Sequence, residues 1–193
     1  MLYSTAWRHG AMQIGFILDI LILFGLLGGI LLGLRRGLAK MLLSTLMLFL
    51  ATVFAALLYY PLINLFAGLG GGAASQRTGA AIVFFGLLVV FYAVLEYALH
   101  RNYPHMKIRA LGNADNILGA IVGIVWAVLG MSLIVLIASY SAATVGGQAS
   151  LVNDMVSTSA LTTLLRKFFK LPVSAIRLLF PNGLPEVLAF FAL

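Results

Sequence analysis

Four windows of about 20 mostly apolar residues dominate this chain, each long enough to cross a hydrocarbon core about 30 Å thick. The first runs from about Gly15 to Leu34 with Asp19 as its only charge, and the second from about Met41 to Tyr60 with none. The third, about Ala80 to Leu99, holds only Glu96, and the fourth, about Ile117 to Ile137, is uncharged. Backbone groups in lipid must bond within their own segment and these windows are too long for barrel strands, so each reads as a helix. Of the 193 residues 63% are hydrophobic and 9% charged, with a mean hydropathy of +1.11. A soluble core of this size has no room for that much apolar surface. The expected fold class is an all-α integral membrane protein: residues 1–14 as an N-terminal extension, 15–138 as a bundle of four transmembrane helices, and 139–193 as an extracytoplasmic tail.

Lys and Arg in short loops mark the cytoplasmic side. Arg35, Arg36 and Lys40 follow the first window and Arg101, Lys107 and Arg109 the third, whereas only Arg8 and Arg77 lie near the membrane on the other side. Both termini are therefore expected outside the cytoplasm. The formal charge of +7 is spread between apolar blocks and not gathered on a polar domain, so it reports topology and argues against nucleic acid as a partner. The absence of cysteine excludes disulfides and thiolate chemistry. Between the second and third windows, Gly68 to Ser75 read as a flexible external linker.

Small residues repeat at four-residue intervals in two windows: Gly25, Gly29, Gly33 and Gly37 in the first, Gly119, Gly123 and Ala127 in the fourth. Lipid gives helices no hydrophobic reason to associate, so such stripes predict faces of close backbone approach, within one bundle or in a homo-oligomer.

Beyond Gly146-Gly147, Leu161, Leu164, Leu165, Phe168 and Phe169 recur at helical spacing, with Arg166, Lys167 and Lys170 on the other face. This predicts an amphipathic helix over about 159–170, lying in the membrane interface or covering the bundle. Asp154, Ser157 or Ser159 is placed to cap it. Pro172 is expected to end it, with a second helical stretch over about 173–180 and a turn at 181–185.

Intramembrane carboxylates are functional candidates by default. Asp19 fits a hydrated interfacial group, a cap on a neighbouring helix, or an ion or proton site. Glu96 precedes His100 by one turn and predicts an i, i+4 pair, with Arg101 beside it. Asp115, two residues before the fourth window, predicts a cap on that helix and a salt bridge to Arg35 or Arg36. His100 and His105 lack the further ligands that zinc requires. No nucleophile elbow, Ser-His-Asp set or phosphate-cradling loop is present, so neither an enzyme nor a cofactor or metal is expected.

Three segments share a pattern with a known group of proteins. Gly15-Phe16-Ile17-Leu18-Asp19-Ile20 places an acid early in the first span. Arg35-Arg36-Gly37-Leu38 closes that span, with Pro61 following the second. Ala110-Leu111-Gly112-Asn113-Ala114-Asp115-Asn116-Ile117-Leu118-Gly119 to Gly123 leads into the fourth. Over residues of about 12 to 138 the chain resembles the colicin V production, or CvpA, family of bacterial inner-membrane proteins, with Asn116 where that family has Arg. The resemblance implies a role in making colicin V-like toxins and in envelope homeostasis. The expected function is a non-enzymatic scaffold or accessory factor whose partners are the lipid bilayer and a second copy or another membrane protein. The alternative is a small oligomeric channel or transporter with Asp19 on its ion or proton path.

Overall fold

The computed structural model describes residues 3–67, 73–103, 112–142, 156, 159–179, 185 and 188–189. Five long helices are described: α1 (Tyr3–Arg36), α2 (Leu38–Ala67), α3 (Ala73–Asn102), α4 (Asn113–Ala142) and α5 (Ala160–Leu179). The first four contain stretches long and apolar enough to cross a membrane, at Phe16–Arg36, Leu38–Asn64, Gly79–Asn102 and Ala114–Tyr140.

These helices overrun the apolar windows that announced them. The backbone of α1 is already helical at Tyr3, so most of the expected N-terminal extension continues the first helix. The connection expected over residues 35–40 shrinks to Gly37 alone. Its φ of +78° lies in the left-handed region that glycine enters at little cost. Gly37 donates its N–H to the Gly33 carbonyl at 3.0 Å, and its own carbonyl accepts from Met41 N–H at 3.1 Å, so one helix ends and the next begins on the same residue. Pro61, expected past the end of the second helix, sits inside α2, which continues to Ala67. The helix α3 begins at Ala73, inside the segment expected as a linker. Residues 68–72, the loop holding His105, Lys107 and Arg109, the caps expected at Asp154 and Ser157, and the 181–184 turn lie outside the described residues, as do the side chains of Arg8, Arg77 and Arg166.

Helices α2 and α4 form the middle of the bundle, with α1 packed chiefly on α4 and α3 chiefly on α2. Tyr59, Phe84, Ile22, Leu48 and Leu136 belong to the shared buried cluster. Phe24, Leu31, Ile82, Val90 and Ile121 point outward as an apolar surface, the arrangement expected of helices whose solvent is lipid.

The two small-residue stripes meet each other. A Cβ built on Gly29, Gly33, Gly119 or Gly123 would fall within 3.0 Å of the facing helix, against its backbone or the Ala127 methyl. The helices α1 and α4 therefore touch main chain to main chain, which is how packing in lipid gains its dispersion energy. Gly25 meets the flexible Met131 side chain instead.

Within the described part of the tail, one helix stands where two were expected: α5 runs through Pro172. Proline removes one backbone bond, yet Leu165 and Phe169 before it and Val173 and Ile176 after it are all buried. Docking both halves on one surface keeps them on one axis. The apolar residues also divide differently from the expectation, since Phe169 is 2% exposed while its neighbour Phe168 is 54% exposed.

Gly29→Leu is expected to lower stability in detergent by on the order of 3 kcal/mol, because the facing Gly123 carbonyl cannot retreat. Gly28→Leu, where nothing lies within 4 Å, is expected to leave the thermal midpoint nearly unchanged. Equal midpoints for the two variants would refute the contact.

Candidate functional site

The chain's in-span carboxylates gather polar contacts at two opposite ends of the bundle, termed here the Arg36 end and the Asp19 end. At the Arg36 end, three helix termini converge on Asp115. It stands in the first turn of α4 and is 2% exposed. Its Oδ1 accepts the Leu38 N–H, the first of α2, at 3.0 Å. A Cβ on Gly37 would collide with Oδ2, so only glycine leaves room for this carboxylate. Asp115 thus caps α2, where the sequence predicted that it would cap α4. The positive ends of both helix dipoles nevertheless favour its charge. Its Oδ2 is buried and has no hydrogen-bond donor among the described residues.

The salt bridge expected between Asp115 and Arg35 or Arg36 does not form. Arg36 turns instead to Glu96 on α3, with Nη1 to Oε1 at 2.5 Å and side chains 24% and 15% exposed. Arg36 also donates to Ser44 Oγ on α2 at 3.2 Å, and Ser44 lies 3.0 Å from each Glu96 oxygen. The expected His100 partnership is present but secondary, with Nδ1 3.6 Å from Glu96 Oε1 and 3.0 Å from the Glu96 carbonyl. The reason is reach: Gly37 ends α1 so abruptly that Arg36 stays beside the bundle, while the adjacent Arg35 is exposed. Ser44 was missed from sequence because one serine in a span more often bonds its own helix, as Thr52 does to the Leu48 carbonyl at 2.9 Å.

At the other end, Asp19 on α1 holds the start of α5. Its Oδ1 accepts from Ser159 Oγ at 2.6 Å and from Leu161 N–H at 3.2 Å. Ser159 is the N-cap of α5, accepting from Thr162 N–H at 3.0 Å and from the Thr162 hydroxyl at 2.8 Å. A helix begins with backbone N–H groups that have no partner. Here two of them are satisfied by a serine in sequence and an aspartate about 140 residues away. Of the three roles expected for Asp19, an ion or proton site, a hydrated interfacial group or a cap on a neighbouring helix, the contacts are those of the cap. Ser132 on α4 adds a bond to the Leu165 carbonyl at 3.5 Å. Lys167 and Lys170 are exposed on the opposite side, together with Arg177.

The class this defines is a polytopic helical membrane protein: a tight four-span bundle carrying a docked amphipathic helix, pinned at both ends by intramembrane carboxylates. The family model described as Colicin V production protein matches residues 18–169. That is most of the chain, and the protein belongs to the colicin V production protein family. The match begins one residue before Asp19 and ends at Phe169 within α5. It therefore includes both partners of the Asp19 contact and extends beyond the 12–138 segment that carried the resemblance. No curated protein and no solved structure matches the chain.

Two predictions follow the two ends. Asp19→Ala is expected to raise amide hydrogen exchange at Leu161 and Thr162 about five- to tenfold, the equivalent of a lost cap worth about 1 kcal/mol, with exchange in the α2–α3 interface unchanged. A double-mutant cycle on Arg36→Gln and Glu96→Gln is expected to return a coupling of about 1–3 kcal/mol, and additive effects would remove the pair from the account.

Proposed function

We propose that this protein is a non-enzymatic scaffold of the bacterial cytoplasmic membrane, an accessory factor in producing colicin V-like toxins and in envelope homeostasis. In this reading the Arg36 end faces the cytoplasm, as the Lys and Arg distribution favours, and both chain termini lie outside. The observation that carries the reading is the commitment of the in-span acids. Asp19 caps α5, Glu96 pairs with Arg36 and Ser44, and Asp115 caps α2. Carboxylates occupied in this way position helices. The product of that positioning is α5, held on the bundle with a cationic and an apolar surface turned outward, suited to a partner in or beside the membrane.

Asp19→Asn separates this role from an ion or proton path. An amide oxygen still accepts from Ser159 and Leu161, whereas a path that uses the charge loses it. In a host that exports such a toxin and lacks its own copy of this protein, Asp19→Asn is expected to restore toxin release nearly as well as wild type. Asp19→Ala at the same membrane level is expected to fail. Ion or proton flux in proteoliposomes above protein-free vesicles, altered by Asp19→Asn, would overturn the reading in favour of an oligomeric channel. A reporter inserted near His105 is expected in the cytoplasm and one fused after Leu193 outside.

A further inference from the structure

The crossing helices turn apolar side chains outward, Phe16, Leu23 and Phe24 on α1 among them, but α5 turns a polar strip outward. Thr163, Lys167, Lys170, Ser174 and Arg177 follow one another at alternating four- and three-residue steps, which places them on one side of a helix, and each is exposed. The opposite side, with Leu165, Phe169, Val173 and Ile176, is buried against the bundle. Leu164 and Phe168, one turn apart, are exposed and border the polar strip with an apolar one. The outward surface of α5 thus offers cations and hydroxyl groups flanked by hydrocarbon, and no acid stands anywhere in Ala160–Leu179.

Contacts within the bundle place this surface. Asp19 holds the start of α5 and lies about 25 Å along α1 from Arg36 at 1.5 Å per residue, close to the thickness of one hydrocarbon core. The two polar ends of the bundle therefore sit at opposite membrane surfaces. Lys167 and Lys170 come about two and three turns after the Asp19 contact, and their flexible stems let the ammonium groups reach toward the headgroup layer at that end. Acids of the chain itself are too few to neutralise the strip. Asp154 and Glu186 lie outside the described residues, and Arg166, Lys167, Lys170 and Arg177 outnumber them in the tail. The remaining acids are engaged elsewhere, Asp19 with Ser159, Glu96 with Arg36 and Asp115 with Leu38.

We infer that the polar strip of α5, with Leu164 and Phe168 beside it, binds anionic phospholipid in the leaflet at the Asp19 end. Charge complementarity sets the headgroup: a phosphate oxygen accepts charge-assisted hydrogen bonds from lysine and arginine, and a surplus of cations attracts an anionic leaflet. The neighbouring apolar strip sets the rest of the occupant. A soluble anion would satisfy the cations and leave Leu164 and Phe168 uncovered, whereas a phospholipid presents phosphate and hydrocarbon side by side. It also already surrounds the outward face of α1, to which the start of α5 is tied. The inference rests on the scaffold reading in one respect, that α5 is the surface the bundle presents, and it names what that surface holds.

The chain contains no cysteine, so Thr163→Cys carries a single fluorophore on the strip, and Val90→Cys, exposed on α3, serves as the control. The full chain is reconstituted in phosphatidylcholine vesicles with a small fraction of nitroxide-labelled lipid, either phosphatidylglycerol or phosphatidylcholine labelled at the same acyl position. Quenching at Thr163→Cys is expected to show a preference of about tenfold or more for phosphatidylglycerol, since each cation near an anionic surface contributes about fivefold. The two lipids are expected to quench Val90→Cys alike. Adding Lys170→Gln is expected to cut the preference about fivefold, and adding Lys167→Gln and Arg177→Gln as well to abolish it. Lys170→Gln alone carries the test if the triple variant fails to fold. Equal quenching by both lipids at Thr163→Cys, or a preference that survives these substitutions, would overturn the inference. So would loss of the preference to inorganic phosphate at matched ionic strength, which would assign the strip to a soluble anion. Flux altered by Asp19→Asn would remove the scaffold reading and leave the quenching result in place, so the two fail separately.

Discussion

Helices in a bilayer gain nothing from hiding apolar side chains from water, so what brings α1 and α4 together is how closely their backbones approach. Gly29 and Gly33 lie against Gly123 and Gly119 with no space for a Cβ. The same contact continues to Gly37, where the chain reverses in one residue and Asp115 fits against the glycine. A larger residue along this line would move α4 outward, and Asp115 could no longer reach the Leu38 N–H. The turn, the cap and the start of α2 all depend on one seam of small residues.

Polar groups then do what the apolar surface cannot, which is to specify arrangement. Arg36, Ser44 and Glu96 tie α1, α2 and α3 together. A partly buried ion pair adds little net stability over an apolar replacement, but leaving one member alone is costly. Alternative packings of four similar apolar helices are therefore penalised. Asp19 does the equivalent for α5, which without a partner for its first N–H groups has less reason to start where it does. The family match, covering residues 18–169, includes this whole set of contacts, in line with a unit made of bundle and docked helix together.

Sequence reading was strongest where a single segment carries its own physics. The apolar windows, the four-residue glycine spacing and the amphipathic periodicity near Phe168 and Phe169 are local patterns. It was weaker at boundaries: Pro61 and Pro172 read as helix ends, yet both lie inside helices, because packing on either side outweighs one lost backbone bond. Partner choice was least legible. Glu96 had His100 one turn away in sequence, and its closest partner is nonetheless Arg36, 60 residues distant.

By itself, then, the sequence determined that this chain is a helical membrane protein with four spans, where small residues permit close contact and which charges need an explanation inside lipid. Those follow from hydrocarbon thickness and from the need to satisfy backbone bonds locally. Only the tertiary structure decided that the two glycine stripes face each other, that Asp115 serves α2 and not its own helix, and that Asp19 holds a helix from the far end of the chain. A carboxylate's partner is set by which donors folding brings within 3 Å or so of it, and periodicity along a chain holds no record of that distance.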